Sequence, residues 1–112
     1  MAAGRQGQQV AYLTPVSEDA LGELLAERLE ESRVSLATPR VAHPTSLAVV
    51  SISDGIPSYA FHRNGTAERQ VTKQNLHRDM PAETQLFHVG SLGLIEGADA
   101  DTWEEFFRDC QG

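Results

Sequence analysis

The dipeptide Asp54-Gly55 is the feature that most constrains how this chain can fold. It lies between two stretches rich in β-branched and aromatic residues, Thr45–Ser53 and Ser58–Arg63. Asp-Gly is typical of a two-residue type I′ turn, because both central residues of that turn need a positive φ. Pro57 cannot donate a ladder hydrogen bond, so it indicates an edge strand or the start of a strand. The sequence therefore predicts a β-hairpin within residues 45–67.

A two-residue turn at Asp54-Gly55 also determines which residues of the two strands face each other. Ser53 then lies opposite Ile56, and every second side chain points to the same face of the ribbon. One predicted face carries Ala48, Val50, Tyr59 and Phe61, and the other carries Leu47, Val49, Ala60 and His62. Both faces are apolar, which leaves two interpretations open. The ribbon is either an ordinary half-buried hairpin or a flap that closes over a small ligand.

Composition and charge argue against several classes of function. The 112-residue chain has sixteen acidic and nine basic residues and a formal net charge of −7, whereas a nucleic-acid surface needs a basic stripe. The sequence has no apolar run long enough to span a membrane, and its first residues do not resemble a secretory signal. Cys110 is the only cysteine, so no internal disulfide can form. We expect one domain or less, cytoplasmic, without nucleic-acid or membrane partners.

The remaining segments alternate between strand and helix patterns. Val10–Leu13 reads as a short buried strand, and leucines at helical spacing predict a helix over Ser17–Arg33 with its first residue as the N-cap. Thr84–Gly90 is the next predicted strand, and a final helix is expected to be capped by Asp101 or Thr102. This order of elements is typical of an α/β fold. Two or three strands alone make a poor sheet, so the predicted strands need further strands beside them. The pattern predicts part of a larger doubly wound domain.

The common catalytic motifs are absent from the sequence. It contains neither a GxxxxGK[ST] loop nor a GxGxxG after a strand, and its four histidines lack metal-ligand spacing. We expect His88, in an apolar segment, to be a core residue. Gly90–Gly93 either presents backbone N–H groups to an anion or only leads the chain away from a strand. Arg63, at the end of the hairpin, is either a ligand contact or a solvated side chain. No catalytic, metal or cofactor residue is predicted.

Nearly the whole chain resembles the ribokinase-like (PfkB) carbohydrate kinases, and bacterial fructokinases in particular. The lid hairpin of that family is similar to TSLAVVSISDGIPSYAFHRNGTAER. The family's strand, its G-x-V-G-D-D-x-x-G turn and the following helix are similar to VAYLTPVSEDALGELLAERLEESRV. Asp19 and Gly22 match that turn, and Ser17 stands where a glycine is usual. A later core strand, whose exit loop approaches the sugar, is similar to TQLFHVGSLGLI.

The resemblance implies an α/β fold, part of an open αβα sandwich in which residues 45–67 are the lid hairpin. It implies transfer of the ATP γ-phosphoryl group to a hydroxyl of a small sugar such as fructose, with Mg²⁺ bridging the phosphates. The family's sugar contacts fall on Ala48, Val50 and Phe61, which the turn register also places on one face. Arg63 stands where some acid-sugar kinases have a basic contact.

The resemblance also implies that residues 1–112 are a single partial domain. The family's GG-x-x-N sugar motif would precede Met1, and its GAGD motif, with the catalytic aspartate, would follow Gly112. We therefore expect a kinase fragment that lacks the catalytic aspartate, binds neither ATP nor Mg²⁺ and is inactive alone. Three alternatives stay open: a non-catalytic sugar-binding module, a homodimer formed through the lid hairpin, and a chain that does not fold stably by itself.

Overall fold

The computed structural model describes residues 1–111 and contains two separate two-stranded sheets. The helices are α1 (Ala2–Arg5), α2 (Ala20–Glu31), α3 (Lys73–Asp79) and α4 (Ala98–Gln111). The strands are β1 (Val10–Tyr12), β2 (Val34–Leu36), β3 (Leu47–Ser53) and β4 (Ile56–His62). Short 3₁₀ turns cover Ala67–Arg69 and Ser91–Leu94. This mixture of helices and strands confirms the predicted α/β class.

Strands β1 and β2 are parallel, and α2 connects them in a βαβ unit. Val10 pairs with Val34 at the first position of this short ladder. The leucines of α2 follow the predicted helical spacing, but Leu21, Leu24 and Leu25 are each about half exposed. The described residues therefore cover only part of the apolar face of this helix.

The start of α2 differs from the prediction, because Asp19 and not Ser17 is the N-cap. The Asp19 carboxylate accepts a hydrogen bond from the Gly22 N–H at 2.7 Å. Ser17 is instead buried in an isolated bridge to Val41, and its hydroxyl accepts from the Asp19 N–H at 3.0 Å. A Cβ on Gly22 would overlap the Ser17 carbonyl, so only glycine lets the helix begin so close to that backbone.

The hairpin of β3 and β4 has the predicted turn and the predicted register. The Asp54-Gly55 turn has φ angles of 51° and 76°, as a type I′ turn requires. Val50 pairs with Tyr59, and Ala48 pairs with Phe61. The rings of Tyr59 and Phe61 stack with their centroids 6.2 Å apart, which is consistent with a shared face. The register inferred from the Asp-Gly turn is confirmed.

A small hydrophobic core lies where α3 and α4 pack against the end of β1. Leu13, Leu76, Trp103 and Phe106 form its buried centre. Phe106 is completely buried, and its ring meets those of Trp103 and Phe87 at centroid distances of 6.4 and 5.5 Å. Aromatic rings in such edge-on arrangements stabilise a core beyond the area they bury.

The predicted strand over Thr84–Gly90 is wrong, because residues 84–90 form no backbone ladder. A strand needs a neighbouring backbone, and β1 pairs only with β2 within residues 1–111. Phe87 and Val89 pack against the core, whereas Leu86 is 82% exposed. The apolar pattern of this segment therefore reflects side-chain packing. His88 is exposed, so its predicted place in the core is also wrong.

Helix α4 begins at Ala98, before the caps expected at Asp101 or Thr102. The Asp101 N–H already donates to the Gly97 carbonyl at 3.2 Å, and the Thr102 hydroxyl donates to the Ala98 carbonyl at 2.8 Å. Both expected caps therefore lie inside the helix.

Candidate functional site

The predicted sugar-facing side of the hairpin is an exposed apolar surface. Val50 is 50% exposed, Tyr59 is 60% exposed and Phe61 is 54% exposed, and Ala48 lies directly opposite Phe61. Apolar and aromatic side chains with a few polar groups are the usual lining of small-molecule sites. The structure brings three of the predicted contact residues together, and their contact with a sugar stays a prediction.

The opposite face of the hairpin is equally open. Leu47 and Val49 are about half exposed, and all the other residues of β3 and β4 are exposed as well. Within residues 1–111 these two strands pack extensively only on each other. The described part of the chain therefore does not support the interpretation of an ordinary half-buried hairpin.

The first root of the hairpin is Thr45, the residue from which the chain runs into β3, and Asp19 binds it. The Thr45 N–H donates to Asp19 Oδ2 at 2.8 Å, and the Thr45 hydroxyl donates to Asp19 Oδ1 at 2.6 Å. The same Oδ1 also caps α2 through Gly22. These hydrogen bonds, first those from Thr45, lower the pKa of Asp19 from 3.8 to about 2. An ionised carboxylate therefore joins the hairpin to the start of α2.

The second root is Arg63, which directly follows β4 and is only 15% exposed. Its Nε lies 3.3 Å from Glu68 Oε1, and its Nη2 lies 3.8 Å from Asp99 Oδ2. The interpretation of a solvated arginine is therefore wrong. A ligand anion at Arg63 stays a prediction, and such an anion would compete with these two carboxylates for the guanidinium.

Arg69 completes the charged cluster at the second root. Its Nε and Nη2 donate to Asp99 Oδ1 at 3.1 and 2.9 Å, and the Asp99 side chain is only 4% exposed. The hydrogen bonds that Arg69 donates to the Asp99 carboxylate raise the pKa of Arg69. Neither Arg69 nor Asp99 was predicted from the sequence. The one available signal was an acidic residue near the start of a predicted helix, where an anion is favoured.

A backbone hydrogen bond joins the two roots. The Ala67 N–H donates to the Pro44 carbonyl at 2.8 Å, and the Thr66 hydroxyl donates to the Arg63 carbonyl at 2.9 Å. Thr66 and Ala67 are both buried. The hairpin therefore leaves the body of the molecule and returns to it at one place.

The segment Gly90–Gly93 is another predicted feature, and its binding of an anion stays a prediction. Residues 91–94 form the 3₁₀ turn, and the Leu92 carbonyl faces Arg63 Nη1 at 3.5 Å. A pocket between Leu13, Thr38 and Leu76 has a volume of ≈ 100 Å³, well below that of typical ligand pockets. Within residues 1–111, no three His, Cys, Asp or Glu side chains come together as metal ligands. None of the helices in that stretch has the length and apolar character of a membrane span.

Comparison with known proteins identifies the family. Residues 1–111 match the pfkB family carbohydrate kinases. The chain belongs to this family. It is 34% identical over 108 residues to a fructokinase from Rhizobium leguminosarum bv. trifolii, a match that covers 93% of the chain and 32% of that enzyme. It is 30% identical over 95 residues to the probable fructokinase-7 of Arabidopsis thaliana, covering 82% of the chain and 28% of that protein.

The crystal structure of the fructokinase from Xylella fastidiosa is similar to this PfkB-family chain, with a TM-score of 0.61 and 25% identity. The similarity covers 66% of the chain and 25% of the fructokinase. The same enzyme has also been solved with bound ATP, and that structure gives a TM-score of 0.60. The predicted ribokinase-like fold is thus confirmed. The chain spans about a third of the length of the curated relatives it matches.

Proposed function

We propose that residues 1–112 form one partial domain of a fructokinase-like sugar kinase, with residues 45–67 as its lid hairpin. The observation that carries the proposal is the common face of Ala48, Val50 and Phe61. These side chains project from a ribbon whose own residues leave that face open. Membership of the pfkB family supports a sugar as the ligand.

In the proposed reaction, a kinase containing this domain transfers the γ-phosphoryl group of ATP to a hydroxyl of a small sugar such as fructose. When they are bound, ATP and Mg²⁺ supply the phosphoryl group and the charge neutralisation. The hairpin would orient the sugar and exclude water from it, which favours transfer over hydrolysis. The described residues do not provide a cluster of metal ligands. We therefore assign no step through Mg²⁺ or ATP to them.

A titration with fructose tests the proposed sugar face. Amide signals of Ala48, Val50 and Phe61, and methyl signals of Ala48 and Val50, are expected to shift in the 112-residue chain, while those of Val49 on the opposite face do not. Phe61→Ala should weaken the response, and Val49→Ala is the matched control because it has similar exposure and lies on the other face. Shifts that are confined to the Val49 face, or absent from both faces, would contradict the sugar face.

We further propose that the 112-residue polypeptide does not phosphorylate sugar by itself. The matched fructokinases are about three times as long, and positioning plus electrostatics supplies most of the catalysis in phosphoryl transfer. The test is a coupled assay for ADP release with fructose and ATP. We expect the rate of the purified chain to equal that of a heat-killed control. Fructose-dependent ADP release above that control would overturn the inactivity.

A second candidate function is assembly of a homodimer through the hairpin. The favouring observation is that β3 and β4 pair only with each other, so both outer edges lack a ladder partner within residues 1–111. Exposed apolar edges tend to pair with other strands. Sedimentation velocity over a concentration series tests this candidate. A dimer that Val49→Lys dissociates would support it, and a monomer at every concentration would exclude it.

A further inference from the structure

The direction in which the hairpin projects needs a physical cause. β3 and β4 pack extensively only on each other, and their side chains are exposed. Packing against the body therefore contributes little to holding the hairpin in one direction. What remains are the contacts at its two roots, Thr45 and Arg63.

The carboxylate of Asp19 makes more hydrogen bonds than an N-cap requires. Capping of α2 needs one acceptor, and Oδ1 provides it for the Gly22 N–H. Oδ1 also accepts the Thr45 hydroxyl, and Oδ2 accepts the Thr45 N–H. A serine or threonine cap has only one oxygen, and asparagine would present an NH₂ group to one of the partners. Among the usual N-cap residues, only aspartate supplies two acceptor oxygens for this set of donors.

We propose that Asp19 is the positioning residue that sets the direction of the hairpin. One carboxylate holds the first turn of α2 and the first root of the hairpin, so the two segments cannot rotate independently. This inference concerns how the hairpin is held, and it does not depend on whether the hairpin contacts a sugar.

The second root makes the proposal specific. Arg63 pairs with Glu68 and Asp99, and the Ala67 N–H donates to the Pro44 carbonyl, so neither contact involves Asp19. Loss of the contact between Asp19 and Thr45 should therefore let the hairpin change its direction, while the contacts at Arg63 and Pro44 keep it attached to the body of the molecule. The expected result is a wider range of hairpin directions in a chain that remains folded.

Asp19→Asn separates the two roles of the carboxylate. The asparagine carbonyl can still cap the Gly22 N–H, whereas its NH₂ group would face the Thr45 N–H and form no hydrogen bond there. We expect amide exchange at Thr45 to become about tenfold faster, because a hydrogen bond to a charged group is lost. The Gly22 amide should exchange as it does in the parent chain. A change at Gly22 without one at Thr45 would overturn the proposal, because Asp19 would then act only as a helix cap.

Hairpin direction is measured with two spin labels in a Cys110→Ser background. One label is attached at the exposed hairpin tip through Ile52→Cys, and the other on α2 through Glu27→Cys. We expect the distance distribution between the labels to broaden in Asp19→Asn. Thr45→Val should broaden it less, and Thr45→Ser, which keeps the hydroxyl, should restore the parent width.

Two results of the distance and amide-exchange measurements would overturn the proposal. The first is an unchanged distribution in Asp19→Asn with faster exchange at Thr45, because the hydrogen bonds would then be irrelevant to hairpin direction. The second is a parent chain that already shows a broad distribution or lacks protected amides in β1. The thermal unfolding midpoint of each variant separates a change of hairpin direction from general unfolding.

Discussion

The hairpin and the α3–α4 core use the same kind of residue in opposite ways. Phe106 is completely buried and meets the rings of Trp103, Phe87 and His77. Phe61 is 54% exposed and stacks on Tyr59 of its own strand. An aromatic residue stabilises a fold only when neighbouring elements remove it from water. The α3–α4 core therefore contributes to the stability of the fold. The apolar surface of the hairpin contributes little to it, because the rest of the molecule does not cover that surface.

The sharpest test of this comparison exchanges one phenylalanine in each region for alanine. Phe106→Ala should lower the free energy of unfolding by about 3 to 5 kcal/mol, because it leaves a cavity between α3 and α4. Phe61→Ala is the matched control and should change it by about 0.5 kcal/mol or less, because its ring is already half exposed. Urea unfolding followed by circular dichroism measures both. Equal losses would show that the hairpin belongs to the cooperative core.

A second test concerns Asp99, near the start of α4, whose carboxylate pairs with both Arg63 and Arg69. Asp99→Asn should cost roughly 2 to 3 kcal/mol, because it removes the charge of a buried carboxylate and leaves the Arg69 guanidinium without its anionic partner. The control is Glu104→Gln, which breaks the exposed pair with Arg108 and should cost about 0.5 kcal/mol or less. Urea midpoints compare the two variants. Similar midpoints for the two variants would mean that the charged cluster at the second root does not stabilise the fold.

A third test acts at the first root, away from the core. Gly22→Ala should cost about 1 to 3 kcal/mol, because the new methyl group overlaps the Ser17 carbonyl and α2 must shift. Gly93→Ala is the control, since a Cβ there makes only ordinary contact with Trp103. Thermal unfolding is the measurement. An unfolding temperature of Gly22→Ala equal to that of the parent would contradict this prediction. It would show that the start of α2 can move away from the Ser17 carbonyl without loss of stability.

The smallest expected effect is a difference in acid sensitivity. The pKa of Asp19 is lowered in the folded chain to about 2 from 3.8, so its contribution to stability is complete above the unfolded value and is lost as the pH falls through the folded value. The unfolding free energy of the parent should thus decrease more than that of Asp19→Asn between about pH 5 and pH 2. The measurement is the unfolding free energy of both chains as a function of pH. An equal decrease in the parent and in Asp19→Asn would exclude a link between Asp19 and acid stability.

Local signals predicted the hairpin well, and long-range contacts limited the other predictions. The Asp54-Gly55 turn specifies its own φ angles and therefore the register of both strands. The segment over residues 84–90 has an apolar pattern that suits a strand or a packed loop equally, and only the absence of a neighbouring backbone decides between them. The N-cap of α2 shifted from Ser17 to Asp19 for a similar reason, since Ser17 takes part in a distant bridge.

The candidate site was predictable only in part. Ala48, Val50 and Phe61 lie on one face because alternation along paired strands is local. The residues that hold the hairpin were not predictable, because Asp19 and Thr45 are 26 positions apart and Arg69 and Asp99 are 30 positions apart. Sequence periodicity carries no information about such pairs. The surroundings of Arg63 depend on the same distant residues.

The joined roots have a consequence for how the length of this hairpin can vary. Because the Pro44 carbonyl and the Ala67 N–H meet at 2.8 Å, insertions or deletions between them leave the attachment point in place. Removing one residue from each strand, however, reverses the faces of all side chains beyond the cut. Removing two from each strand restores them. Homologous hairpins that keep the face of Ala48, Val50 and Phe61 on the same side should therefore differ in length by even numbers of residues per strand.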